Sequence, residues 1–270
     1  MTDLQSVEFD ILRHVVSVCD KLNIPYFLVC GTALGAVKYN GFIPWDDDVD
    51  IGLFREDYER FLKESPKLLP KHLFLQTFES DVGYTNIFAK IRNSETTYIE
   101  KTVQHLSMNH GVYIDVFPLD GYPSKERDQQ RLEKKKRFYR KLISCNYKAD
   151  RSFFGRFTNR ALRILGVHKM TNRILKRYDS LVSSYPIEGS DIICNHGNWQ
   201  GRLEYAPKEQ YGNGLMMKFE GLDVRVPERY DEYLTQKYGN WREDLPIEQQ
   251  VGHHYYSVLD LNKSYTEYLK

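Results

Sequence analysis

The chain has 270 residues and a formal net charge of +1, with 41% hydrophobic and 28% charged residues. That composition excludes a disordered or fibrous polypeptide and leaves room for one large domain or a domain with a substantial insertion. Cys19, Cys30, Cys145 and Cys194 form no short pair, which argues against a zinc module or disulfide scaffold; no apolar run approaches the ~20 residues of a membrane span, and the N-terminus does not read as a secretory signal. The expectation is a cytoplasmic protein.

Residues 4 to 22 carry Leu4, Val7, Ile11, Leu12, Val15, Val18, Cys19 and Leu22, close to a helical period with one apolar face. Pro25 closes that stretch, and Tyr26 to Cys30 reads as a short buried strand. A Gly31-Thr32 turn leads into a short helix, which an Asn40-Gly41 turn ends. Val49 to Phe54, entered through Asp48, reads as a second strand and Glu56 to Glu64 as a helix. Further strands are expected at Leu73–Thr77, Tyr84–Ile91, Thr97–Ile99 and Val112–Phe117. Strands and helices thus interleave over the first 120 residues or so, the pattern of an α/β or α+β domain with a mixed sheet.

Lys125 to Tyr185 reads as helical. Between Lys125 and Arg177 stand 18 Lys/Arg against 4 Asp/Glu, so this segment is strongly basic while the remainder is acidic. A strand at Leu222–Val226 and a helix at Arg229–Lys237 follow. The reading is a catalytic core over residues 1–122, a basic helical insertion over 123–185, and a C-terminal part over 186–270 that completes the core.

The segment FLVCGTALGAVKYNGFIPWDDDVDIGLF carries the chemistry. Residues two apart in a strand share a face, so Asp48 and Asp50 project together while Val49 and Ile51 point into the core. Two like charges in an otherwise apolar strand are costly without a compensating cation, and hard oxygen ligands favour Mg²⁺ or Mn²⁺. Gly31, between strand and helix, lets backbone approach a ligand closely, and amides at the helix N-terminus suit phosphate oxygens.

The motif GTALGAVKYNGFIPWDDDVDI resembles the signature of the LicD proteins, bacterial phosphocholine transferases with a nucleotidyltransferase-like fold. The likeness continues in GVYIDVFPLDG (111–121), in FEG at 219–221 and in VPERYDEYLTQKYGNW (226–241), and is weak across the basic middle. The fukutin-like proteins, which include ribitol-phosphate transferases, are related to this family. The resemblance implies that Asp48 and Asp50 bind metal and that Gly31 and Thr32 hold the donor phosphates. Asp46 and Asp47 put extra carboxylates beside that pair, and Asp46 shares its parity if the strand starts early. Asp115, lone in the apolar strand VYIDVF, matches the third carboxylate usual in this fold, as metal ligand, base or both. Lys90 and Arg92 stand at strand spacing and could meet donor phosphate; an exposed strand edge accounts for them equally well.

The implied reaction moves phosphocholine from CDP-choline to a sugar hydroxyl of a teichoic acid or other lipid-linked glycan precursor and releases CMP. Trp45, Tyr84, Trp199 and Tyr211 are conceivable contacts for the quaternary ammonium, and Glu220 of FEG is a further lining residue. Transfer of ribitol- or glycerol-phosphate, transfer of a nucleotidyl group, and non-catalytic choline or glycan binding are the rival readings. His253-His254 reads as a surface or packing pair ahead of a metal site. The basic segment mixes Lys/Arg with Phe, Leu and Ile as interfacial helices do, so an anionic membrane surface on the inner face of the cell membrane is one reading of it, and a solvated helical face or an oligomer contact accounts for it equally well. A nucleic-acid partner is not expected, since no motif supports one.

Overall fold

A computed structural model describes residues 1–147, 153–198, 200–252 and 255–269. In chain order its elements are α1 (Asp3–Leu22), β1 (Phe27–Leu28), α2 (Cys30–Tyr39), β2 (Asp50–Phe54), α3 (Arg55–Glu64), β3 (Leu73–Gln76), β4 (Ala89–Asn93), β5 (Thr97–Glu100) and β6 (Val112–Gly121). There follow α4 (Glu126–Ile143), α5 (Phe153–Ile164), α6 (Thr171–Val182), β7 (Ile192–Asn195), β8 (Tyr205–Pro207), α7 (Lys208–Tyr211), β9 (Leu215–Phe219), β10 (Leu222–Val226), α8 (Tyr230–Tyr238) and β11 (Tyr256–Asp260). The fold is α/β with a mixed sheet.

The main sheet runs β1-β2-β6-β4-β3, with β7 and then β8 added beyond the far end of β6. β6 organises it. All ten of its residues are buried, its first half lies between β4 (antiparallel) and β2 (parallel), and its last residues pair with β7. A central strand covered on both faces is close to continuously apolar, so the two aspartates within it, Asp115 and Asp120, each need a specific partner. α1 packs across β6 and β4, burying Ile11, Leu12, Val15 and Cys19, the apolar face expected from its periodicity. The Asn40 turn that ends α2 also holds, with Asn40 in the left-handed region at φ 55°.

The helices α4 to α6 occupy the chain between β6 and β7, as the basic segment suggested. They enclose a second core of Leu132, Ile143, Ile174, Leu175, Tyr178 and Val182 that also takes in Tyr122 and Cys194 from the sheet side. One ion-pair network ties them to the sheet. Arg55 at the start of α3 reaches Asp120 of β6 at 2.7 Å and Asp179 of α6 at 3.1 Å.

Several elements depart from the sequence reading. The Tyr26–Cys30 strand shrinks to two residues because the backbone turns left-handed at Cys30 (φ 55°) and enters α2 there. Gly31 and Thr32 therefore lie in the first turn of the helix rather than in a turn before it. The Tyr84–Ile91 strand starts only at Ala89, since residues 84–88 form an irregular segment. Leu215–Phe219, not anticipated, pairs with Leu222–Val226 as a hairpin whose two-residue turn is Glu220-Gly221, at φ 49° and 85°. Positive φ at both turn positions is what a tight hairpin matching the strand twist requires, and FEG owes its glycine to that turn.

Candidate active site

A cleft of about 650 Å³ opens over the start of β2 and the middle of β6 and contains Asp46, Asp48, Asp50 and Asp115 together. Strand register explains their meeting. Asp50 opens β2 and stands directly beside Asp115 on the parallel neighbour β6, while Asp115 faces Lys90 on the antiparallel neighbour β4. Three strands thus carry an Asp–Asp–Lys row across the sheet. Lys90 Nζ lies 2.8 Å from Asp115 Oδ1 and 3.2 Å from the centre of the Tyr113 ring, so it serves Asp115 rather than standing free for a phosphate. Val49 and Ile51 are fully buried on either side of Asp50, as the alternation required.

The loop before β2 is fixed by groups distant in sequence. Gln5 of α1 donates from Nε2 to the carbonyl oxygens of Asp46 at 2.9 Å and Ile43 at 3.3 Å. The Asp50 amide donates to Thr32 Oγ1 at 2.8 Å, and the Cys30 amide donates to the Tyr233 hydroxyl at 3.1 Å. Thr32 is buried and its hydroxyl is used in seating Asp50, so its side chain is a strut behind the cleft, whereas Gly31 lines it. No side chain caps α2 at Val29, and the positive end of this helix is turned toward the cleft carboxylates, with Asp46 beside Gly31. A methyl group on Gly31 would stand 2.8 Å from Asp46 Oδ2, which explains why a residue without Cβ sits here.

Burial, reinforced by the neighbouring Asp48, pushes the Asp46 carboxyl up to about 8 and the Asp50 carboxyl well above the usual carboxylate range. Glu8 of α1 is buried behind the loop and is raised likewise, by burial first and then by Asp48, Asp47 and Asp46. Lys38 also lines the cleft, but it is held by Asp244 at 2.8 Å and by the carbonyl oxygens of Trp241 and Glu243. Four carboxylates converging with one paired lysine make a donor set that fits a divalent, oxygen-loving cation.

Other expected residues fall elsewhere. Arg92 is fully buried with its guanidinium over the Tyr113 ring; it donates to Gln76 Oε1 and to the Gly111 carbonyl oxygen and lies 3.7 Å from Glu100. It is neither an exposed edge residue nor a cleft residue. Tyr84 packs in a small cluster with Val103 and Met108, and Tyr211 packs against Phe27, Phe54 and Tyr233. Glu220 accepts from the Phe42 amide at 3.2 Å and fastens the α2–β2 loop to the hairpin turn. Trp45 does line the cleft, edge-on to Tyr39 at 6.2 Å between ring centres. Trp199, His253 and His254 lie outside the described residues.

The remaining walls bring in residues that no local pattern marked. Tyr39, Trp241 and Glu243 stand with Trp45 and Lys38, while Asn86, Tyr147 and Asn198 line the cleft beside Phe88 and Phe117. Trp241 had one signal, its place at the end of the VPERYDEYLTQKYGNW stretch. Residues 23–159 match the family described as LicD/FKTN/FKRP, nucleotidyltransferase domain. The chain is 30% identical to the lipopolysaccharide cholinephosphotransferase LicD of Haemophilus influenzae over 260 residues, 94% of this chain and 96% of that one. The chain belongs to the LicD family. A shorter likeness, 44% over 45 residues, links it to the human ribitol 5-phosphate transferase FKRP, covering 17% of this chain and 9% of that protein. An uncharacterized protein of Rickettsia prowazekii, RP689, is 33% identical over 116 residues, 43% of this chain and 40% of that one. For this LicD-family chain the family match spans the Asp46–Asp50 loop, Lys90 and Asp115, so the row across the sheet lies within the matched domain.

Proposed function

We propose that this chain transfers phosphocholine from CDP-choline to a hydroxyl of a cell-surface glycan precursor and releases CMP. The family is one of transferases: the LicD relative is a cholinephosphotransferase, and FKRP transfers ribitol 5-phosphate. The observation that carries the reading is the row Asp50–Asp115–Lys90, set by strand register, whose two aspartates line a cleft of about 650 Å³. A Mg²⁺ or Mn²⁺ ion held by Asp48, Asp50 and Asp115, with Asp46 beside them, would supply neutralisation of the phosphate oxygens and of the leaving charge.

The chain's own groups do the rest. The first-turn amides of α2 at Gly31 meet the donor phosphates, since that uncapped helix end favours anions. Asp115, oriented by Lys90, takes the proton of the attacking hydroxyl, a role that contributes about 10²–10⁴-fold. Trp45, which lines the cleft edge-on to Tyr39, offers an aromatic face to a quaternary ammonium, an attraction of about 0.5–2 kcal/mol.

The basic insertion supports an anionic membrane surface as the place where a lipid-linked acceptor is met. Phe157, Ile164 and Leu165 are exposed on or just after α5, interleaved with Arg156, Arg160 and Arg163. No helix among the described residues is long and apolar enough to cross a membrane. Failure to cosediment with anionic vesicles at low salt would remove this part of the reading.

Products test the whole. With magnesium, CDP-choline and glycan acceptor, head-group transfer yields CMP. Release of pyrophosphate from CTP would instead mark nucleotidyl transfer, and CMP from CDP-ribitol or CDP-glycerol alone would keep the reaction and overturn the head group.

A further inference from the structure

We infer that Asp10, His14 and His72 form a second metal site, for a divalent transition-metal ion such as zinc, which clips α1 to the start of β3. Asp10 and His14 are four residues apart on α1 and so share one face of the helix; Asp10 Oδ2 lies 3.8 Å from His14 Nε2. His72 comes from the turn that enters β3, and its ring stands edge-on to His14 at 6.1 Å between centres. One ligand atom from each of the three lies within 4.8 Å of the other two, and all three residues are half-buried.

Chemistry distinguishes this site from the aspartate cluster. Two imidazoles and one carboxylate suit transition metals such as zinc, copper, iron or nickel, whereas all-oxygen carboxylate sets suit magnesium. Around a tetrahedral zinc with bonds of ~2.0–2.1 Å the ligand atoms stand about 3.3 Å apart, so rotations of about an ångström at partly exposed side chains close the set. The His72 backbone is already fixed, its carbonyl oxygen accepting from the Ser94 amide at 2.8 Å. Arg13 approaches the other carboxylate oxygen, Oδ1, at 3.7 Å from an exposed position, and leaves Oδ2 turned to His14. Three protein ligands leave a fourth position for water.

The location gives the site its consequence. α1 also carries Gln5, which holds the Asp46 loop, and β3 pairs with β4, which carries Lys90. A bound ion therefore braces two elements that support the segments behind the cleft, α1 through Gln5 and β3 through its pairing with β4, and neither contributes a residue to the lining.

Zinc titration of the full chain, with magnesium saturating, tests the inference through the imidazole nitrogen resonances. The expected result is that His14 and His72 shift together and saturate at one equivalent. His72→Ala should weaken zinc binding about tenfold or more and leave magnesium-dependent activity without zinc unchanged. If neither imidazole moves under excess zinc, or His14 moves alone and His72→Ala binds zinc as the wild type does, the three-ligand site is overturned.

Discussion

Replacing Asp50 by asparagine removes one charge from the carboxylate cluster while keeping its shape. The Asp46 carboxyl is driven from 3.8 to about 8 by burial and by its acidic neighbours, and each unit corresponds to about 1.36 kcal/mol, which sets a ceiling of roughly 5–6 kcal/mol on the cost of charging it. Burial is the larger cause and survives the substitution. Asp48 and Asp47 are the neighbours that raise Asp46, while Asp50 is itself raised by burial first and then by Asp48, Asp115 and Asp46, so an asparagine that cannot charge there should return roughly 1–2 kcal/mol to the metal-free protein. At about 2 °C per kcal/mol for a chain of this size, the melting temperature in chelator rises by about 2–4 °C. Magnesium should then stabilise the wild type by more than the variant, because the variant has lost a ligand. The sign with pH follows from the raised carboxyls: between about pH 4 and 8 the folded state binds more protons than the unfolded, so the metal-free wild type loses stability as pH rises through that window. Thermal melts with and without magnesium at pH 5.5 and 8 measure both effects. A variant less stable than wild type in chelator at pH 8, with an equal magnesium shift, would refute the reasoning.

Gly31→Ala should leave the protein folded but lower transfer about tenfold or more, because the added methyl displaces the Asp46 carboxylate; steady-state kinetics beside a far-ultraviolet spectrum check it. Arg92→Met should cost about 2–4 kcal/mol by stranding Gln76, Gly111 and Glu100, seen as a fall of several degrees in melting temperature, with an unchanged KM for the donor. Trp45→Leu should raise KM for CDP-choline about 3- to 30-fold while leaving any turnover of CDP-glycerol unaffected, which parallel assays of the two donors will show.

What could be read from the sequence was set by how local its cause is. The alternation around Asp48 and Asp50 needs only the two-residue period of a strand, and the structure buries Val49 and Ile51 accordingly. Asp115 was legible because a carboxylate in an apolar strand demands a partner, which Lys90 partly supplies. Arg92 obeys the same two-residue spacing as Lys90, yet its environment is decided by Gln76, Glu100 and Gly111, contributed by other segments. Tyr84, Tyr211 and Glu220 went astray for that reason too: a tyrosine or glutamate looks alike in sequence whether it lines a cleft or fills a core. Gln5, which holds the loop, and Glu8, buried behind it, stand more than thirty residues before it in the chain, on a helix whose periodicity announces only its apolar face. The hairpin strand Leu215–Phe219 is mostly exposed and carries little alternation, so it left a weak pattern.

The central claim is that the carboxylate row across β2 and β6 performs head-group transfer. CMP release from CDP-choline in the presence of magnesium and glycan acceptor, compared between wild type, Asp50→Asn and Asp115→Asn at matched folding, tests it most directly. The expected result is CMP formation by the wild type, its loss on chelation, and a fall of about 10² or more in both variants. Near-normal turnover by Asp115→Asn or Asp50→Asn at saturating magnesium would contradict it.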